Sequence, residues 1–498
     1  MKAHIAGALC AVALALTNSG LIAAQDSIAT SIALNGSSIT VDGAGATADG
    51  SIVTISTGGT YTLSGSLDDG HVIVETEEAV TLVLDNVTLA SSTSAPISIN
   101  SADSVTLVLP EGTENTVTDA ATYIYPSADV DEPNAAIFSN DDLIIEGDGS
   151  LTVQANYNDG ISTDDSLTIS GNPTITVTAA DDAIRGKDSL TISGGTFTLN
   201  AAGDTLKSDN TESVVTIDGG TYTLTAGDDG IQSDRDLTIN AGTFTITAGG
   251  DGMHAEYNLT LNGGEIDILN SEEGIEAAFI TLNDGDIHVT ASDDAINASA
   301  PDDAETTTSN QRGGLGDPNS PYYLHINGGT LVADAEGDGL DANGSIEMTG
   351  GLVIVNGPLA NNNGALDYDG TFNISGGTLV AVGSAGMPSA PSSDSSQNAL
   401  LINFDAAQTA GTLVHIGSTD GETLLTFAPG KNYQSLVFSS PDLTTGNSYE
   451  VYIGGSADGD SSDGLYTNDD AYSDGTLNTS FTVSSSLTQI GNVRRMRG

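Results

Sequence analysis

Eight acidic residues return at nearly constant spacing through the middle of this chain. In each copy of a short Asp-Asp-Gly/Ala-Ile phrase the second acid can be taken as position zero. It falls at Asp159, Asp182, Asp204, Asp229, Asp251, Glu273, Asp294 and Asp338. Successive steps are 21 to 25 residues, with one double step of 44 before Asp338. The preceding position adds Asp181, Asp228, Glu272 and Asp293. If each repeat is one turn of a coil whose turns lie about 4.8 Å apart, these acids form a row. Two carboxylates at that separation repel by about 3 kcal/mol even at an effective dielectric near 20. Such a row calls for protons or for shared cations. Oxygen-only donors in a strongly acidic chain favour calcium over zinc or magnesium. The expected metal ligands are Asp159, Asp181, Asp182, Asp204, Asp228, Asp229, Asp251, Glu273 and Asp294. A competing reading makes the same oxygens acceptors for backbone N–H groups in Asx-type turns.

Three residues after position zero the column reads Ser162, Arg185, Lys207, Gln232, His254, Glu276, Asn297 and Asp341, and alternation points it outward. Arg185 and Lys207 fall on adjacent turns, with Lys187 and Arg235 nearby, so four of the chain's ten Lys and Arg lie within a short stretch. A basic strip beside acid-held cations suits a polysaccharide that carries carboxylates. Arg185, Lys187, Lys207 and Arg235 are therefore the expected substrate-binding residues, the alternative being that they offset neighbouring aspartates. No catalytic residue is assigned. Were the chain a lyase, Lys187 or Lys207 would be its base, and an acidic setting works against the lowered pKa such a base needs.

The elements that hold these columns are short strands. An apolar column follows two places after each acid: Ile161, Ile184, Leu206, Ile231, Met253, Ile275, Ile296 and Leu340. Next comes a Leu-Thr-Ile strand, then Gly-Gly, then a third strand carrying Phe197, Tyr222 and Phe244, expected to face the core. Three alternating strands per turn predict an all-β fold, a parallel β-helix with rungs of about 22 residues. Weaker rungs place Val74, Ile97 and Ile137 inward. There Val72, Ala95 and Ala135 stand where the acids would be, so the coil closes without them. An insertion covers about 298–321. The expected organisation is a signal peptide over 1–24, an N-terminal cap over 25–51, the β-helix over 52–385, and a C-terminal β-rich segment over 386–498 that acts as a cap.

Composition narrows the partners. With 10 Lys+Arg against 68 Asp+Glu the formal charge is -58, which repels nucleic acid and anionic membrane and attracts divalent cations. An apolar run from Ile5 to Leu16, followed by Ala23 and Ala24, reads as an export signal and is too short to span a bilayer. The single cysteine, Cys10, lies within it, so a mature chain carries no disulfide. A secreted monomer at the cell surface or beyond is expected.

The phrases DDAIRGKDSLTISGGTF from Asp181, GDTLKSDN from Gly203, GDGLDANGSIEMTGGLVIVNGP from Gly337, NGALDYDG from Asn363 and SSPDLTTGNSYEVYIGG from Ser439 carry a resemblance. The chain resembles secreted bacterial carbohydrate-binding domain-containing proteins, whose architecture is similar to calcium-dependent pectate lyases. The resemblance implies a right-handed coil, calcium between rungs at Asp181, Asp182, Asp204, Asp228, Asp229 and Asp251, and binding of plant cell-wall polysaccharide such as polygalacturonate or cellulose. Two alternatives stand beside it: a calcium-dependent pectate lyase, and a surface adhesin or spacer for which the coil is only a stiff rod.

Overall fold

The computed structural model describes residues 29–301, 317–466 and 472–491. The expected signal peptide and most of the insertion lie outside the described residues. Among those residues there is no helix, and a parallel β-solenoid of about 13 turns makes up most of the chain.

Each turn lays down three short strands, and like strands pair in parallel to build three faces. The first face stacks Asp159–Thr163, Ile184–Gly186, Leu206–Ser208 and Ile231–Ser233. The second stacks Ser166–Gly171, Ser189–Ile192, Val214–Ile217 and Asp236–Ile239. The third stacks Thr174–Ala179, Thr196–Ala201, Thr221–Ala226 and Thr243–Thr247. Alternation along each strand sends Ile, Leu and Val inward and Thr or Ser outward, which is why no single turn could fold alone. The apolar column from Ile161 to Leu340 is fully buried. Each such side chain contributes about 1.5–3 kcal/mol of transfer free energy. Phe197, Tyr222 and Phe244 stack inside the coil with centroids 4.8 and 4.5 Å apart and rings within 4° of parallel. They are core, as expected. The turn before Tyr222 needs Gly220 at φ 116, where a Cβ would sit 2.9 Å from the Tyr222 hydroxyl.

One early register differs from expectation. Val72 pairs with Ile97 and Val74 with Ile99, so Val72 belongs to the apolar column and Gly70 takes the acid's place. Ala135 does pair with Asp159. The coil still closes without an acid there, but a two-residue slip is invisible where both candidates are valine.

Both ends of the coil are covered. Strand Ala29–Gly36 pairs in parallel with Gly59–Leu67 and folds back antiparallel on Ile39–Asp42. At the other end Thr378–Gly383 pairs antiparallel with Tyr433–Ser439, which in turn pairs with Ala399–Gln408. A six-stranded sheet including Val414–Ser418, Thr423–Phe427, Ser448–Ile453 and Thr476–Thr482 packs beside it. A second core forms there from Val332, Ile354, Val380 and Val382 of the coil with Leu400, Phe427, Phe438 and Val451. This explains why Leu352–Asn356 and Thr378–Gly383 lose their polar alternation: both faces are buried.

Candidate metal and polysaccharide site

Asp159 opens a first-face strand and the other seven acids lie two residues before theirs, each two places ahead of the buried column. Its parity therefore turns it toward the coil interior. Asp159, Asp182, Asp204 and Asp251 are 2–7% exposed, while Asp229, Glu273, Asp294 and Asp338 are half-buried. Their oxygens divide into two roles. Oδ1 accepts the backbone N–H of position zero one turn later: Asp204 N–H to Asp182 at 2.8 Å, Asp229 N–H to Asp204 at 2.8 Å, and Asp251 N–H to Asp229 at 2.7 Å. Asp182 N–H to Asp159 and Glu273 N–H to Asp251 are longer, at 3.4 and 3.1 Å. The series resumes with Asp338 N–H to Asp294 and Gly364 N–H to Asp338, both 2.5 Å. Except at Glu273, one oxygen of each carboxylate is thus a structural staple between turns; the Asx-type reading expected acceptance of backbone N–H groups, but the donors come from the next turn rather than from a local one.

The second oxygens meet the column three residues on, which is half-buried rather than free. Lys207 Nζ lies 2.7 Å from Asp204 Oδ2 and 3.3 Å from Asp182 Oδ2. His254 Nδ1 lies 3.4 Å from Asp229 Oδ2 and 4.0 Å from Asp251 Oδ2. In the equivalent places Glu276 groups with Asp251 and Glu273, and Asp341 groups with Asp294 and Asp338, each trio within 4.8 Å. Asp204, Asp228 and Asp229 form a further trio. Gln232 Oε1 and Asn297 Oδ1, in the same column, are buried with no hydrogen-bond partner among the described residues. Glu276, Asp341, Gln232 and Asn297 were read from sequence only as outward residues. Their common register with Lys207 was the available signal.

The electrostatics follow from burial. Desolvation lifts the Asp159 carboxyl to about 7, with the charge of Asp182 adding to it. Burial likewise lifts Asp294 to about 7 and Asp338 to about 6. Asp341 rises to about 8, through burial first and then the charges of Asp294 and Asp367. Asp251 is pushed up by burial and by Asp229. Burial opposes the charged form of His254, yet the hydrogen bond to Asp229 and the surrounding carboxylates outweigh it and raise its pKa. Lys207 is raised in the same way by Asp182 and Asp204 against its own desolvation.

A cation fits this row on two observations. The donors are carboxylates with buried amide oxygens among them, the set a hard divalent ion takes. Gly203 and Gly250 also leave a cradle that a side chain would fill. A Cβ on Gly203 would stand 2.5 Å from Asp182 Oδ1 and 2.6 Å from Asp181 Oδ1, and one on Gly250 would be 2.5 Å from Asp229 Oδ1 and 2.8 Å from Asp228 Oδ1.

The four basic residues are all paired. Arg185 donates from Nε to Asp209 at 2.9 Å and from Nη1 to Ser162 at 3.1 Å. Lys187 Nζ is 3.4 Å from Asp164. Arg235 meets Glu212 at 3.0 Å and lies 5.6 Å over the Tyr257 ring. Tyr157 stacks on Tyr123 at 4.3 Å and is 36% exposed, which makes it an aromatic surface open to a sugar.

The chain is similar to known proteins over parts of its length. A relative from Acetivibrio thermocellus, a carbohydrate-binding domain-containing protein, is 44% identical over 129 residues, which is 26% of this chain and 45% of that relative. The chain thus matches less than half of that relative's length. A solved structure of a polysaccharide lyase-like protein from C. thermocellum, a gadolinium derivative, aligns at 37% identity over 47% of this chain and 96% of that one, with a TM-score of 0.45. A family model described as carbohydrate-binding domain-containing protein matches residues 49–300, which take in the coil from its first turns to the insertion. The chain belongs to the family of carbohydrate-binding domain-containing proteins.

Proposed function

We propose that this is an exported, calcium-dependent binding protein for acidic plant cell-wall polysaccharide such as polygalacturonate. The observation that carries the reading is the pair of all-carboxylate trios, Asp251/Glu273/Glu276 and Asp294/Asp338/Asp341. Each gathers three acids at one interval between turns, with His254 4.0 Å from Asp251 at the edge of the first. Asp159, Asp181, Asp182, Asp204, Asp228 and Asp229 continue the row toward the N-terminus. Bound calcium would supply the positive charge there and leave positions open to a sugar carboxylate. Arg185, Lys187, Lys207 and Arg235 are compensated by this chain's own acids, so the pull on a uronate from those four is weak without added cations. Tyr157 offers an uncharged surface to the sugar ring.

Binding without cleavage is the favoured form. A lyase base must give up its proton near neutral pH, whereas Asp182 and Asp204 hold Lys207 as an ammonium. Lys187 is 43% exposed and lies 3.4 Å from Asp164, so it faces an acid of this chain rather than a pocket for substrate. The test is retention of polygalacturonate by the full chain with calcium and with chelator, read together with ultraviolet absorbance of unsaturated products. Retention that chelator abolishes, with flat absorbance, is expected. Absorbance that rises and disappears in Lys187→Ala would make it a lyase. No retention under either condition would leave the coil as an adhesin or spacer.

A further inference from the structure

We propose that Lys207 is a built-in counter-ion standing where the neighbouring intervals take a divalent cation. The column three residues after the acids would then decide, interval by interval, whether the coil uses its own cation or one from solution. The inference rests on the calcium reading above and adds to it a rule for which intervals bind.

The argument is one of equivalence. Lys207 pairs in register with Gln232, Gln232 with His254, and His254 with Glu276. Glu276 pairs with Asn297, and Asn297 with Asp341. These six side chains therefore occupy one position of the coil on successive turns. Where the backbone staple is unbroken, the acids beside them behave alike, with Oδ1 held by the next turn and Oδ2 left for this column. At Lys207 the interval holds two carboxylates and one ammonium, a formal charge of minus one. At Glu276 and at Asp341 it holds three carboxylates, a formal charge of minus three. The difference is the charge of one divalent ion.

Geometry agrees. Lys207 Nζ reaches both second oxygens at 2.7 and 3.3 Å with its side chain 24% exposed, so the ammonium lies between the carboxylates rather than in solvent. The shorter contact is only a few tenths of an ångström beyond a calcium–oxygen bond of about 2.3–2.6 Å. Arg185, one turn earlier, stands in the same column but turns to Asp209 and Asp164 instead. The role is therefore specific to Lys207. His254 fills the third kind of interval, a nitrogen and two carboxylates.

Reciprocal exchange tests the rule. Tight calcium sites on the full chain are counted by equilibrium dialysis with radioactive calcium at physiological salt, for wild type, Lys207→Glu and Glu276→Lys. Lys207→Glu should bind one calcium more than wild type and Glu276→Lys one fewer, while circular dichroism stays that of the coil. If Lys207→Glu does not fold, Lys207→Gln carries the same expectation of one added ion. Wild type that binds calcium, with variant counts unchanged, would overturn this inference and leave the calcium reading standing. Wild type that binds none would overturn both.

Discussion

A single carboxylate here does two jobs, and the two oxygens can be separated by substitution. Asp204 accepts the Asp229 N–H with one oxygen and holds Lys207 with the other. Asp204→Ala removes both and leaves a half-buried ammonium short of a partner, so it should cost about 3–5 kcal/mol. Asp204→Asn keeps the acceptor and loses only the charge, so roughly half of that loss is expected. Denaturant midpoints and hydrogen exchange at the Asp229 amide check both. The row also predicts the sign of a pH effect. Asp159, Asp204, Asp294, Asp338 and Asp341 have folded-state values raised to between about 6 and about 8, above the usual carboxylate range. A raised value means that the folded state binds protons more tightly. The associated stability is full below the unfolded pKa and is lost as pH climbs through the folded one. His254, raised as well and facing Asp229 and Asp251, has the same sign. Chelated protein should therefore lose thermal stability steadily from pH 5 to pH 9. Calcium should flatten that slope, because it favours the ionised form that high pH supplies. A chelated protein that gained stability over that range would contradict the burial of these acids.

At the scale of the strand, the repeat was legible because side-chain period and turn length both leave marks in the sequence. Ile184, Leu206 and Ile231 were placed inward from spacing alone, as was the aromatic stack. What could not be read was any contact that depends on where a side chain leans. The staple from Asp182 Oδ1 to the Asp204 N–H spans 22 residues and has no sequence signature beyond the acid itself. Lys207 likewise reads as an outward residue by parity, and only the approach of two carboxylates draws it back over the row. The early register slipped at Val72 because Val72 and Val74 are chemically alike. Since each turn touches only its neighbours, damage should stay local. Tyr222→Ala empties the middle of the Phe197–Tyr222–Phe244 stack and frees the Gly219 carbonyl that its hydroxyl donates to at 2.7 Å. A loss of about 3–5 kcal/mol is expected. Hydrogen exchange should rise in the turns around 197–247 and stay unchanged near Val74; a uniform rise along the coil would contradict nearest-neighbour packing.

For the molecule as a whole, an open coil end is a row of unpaired backbone groups, and the C-terminal sheets cover it. They are fastened by the second core and by Lys431, whose ammonium meets Asp334 at 2.5 Å, Glu336 at 3.1 Å and the Ala335 carbonyl at 2.7 Å. Val380→Asp would bury a charge between the coil and that sheet. It should release the C-terminal segment to limited proteolysis while the turns near Ile184 keep their protection. The coil itself remains a stack of acids that the chain meets with its own basic side chains at Lys207 and His254. The most direct measurement is the thermal midpoint of chelator-stripped protein at pH 8 as calcium is added back. The midpoint should climb with free calcium and keep rising with its logarithm above the dissociation constant, because the ligand binds the folded state alone. A midpoint that is already high in chelator and indifferent to calcium would contradict the calcium reading.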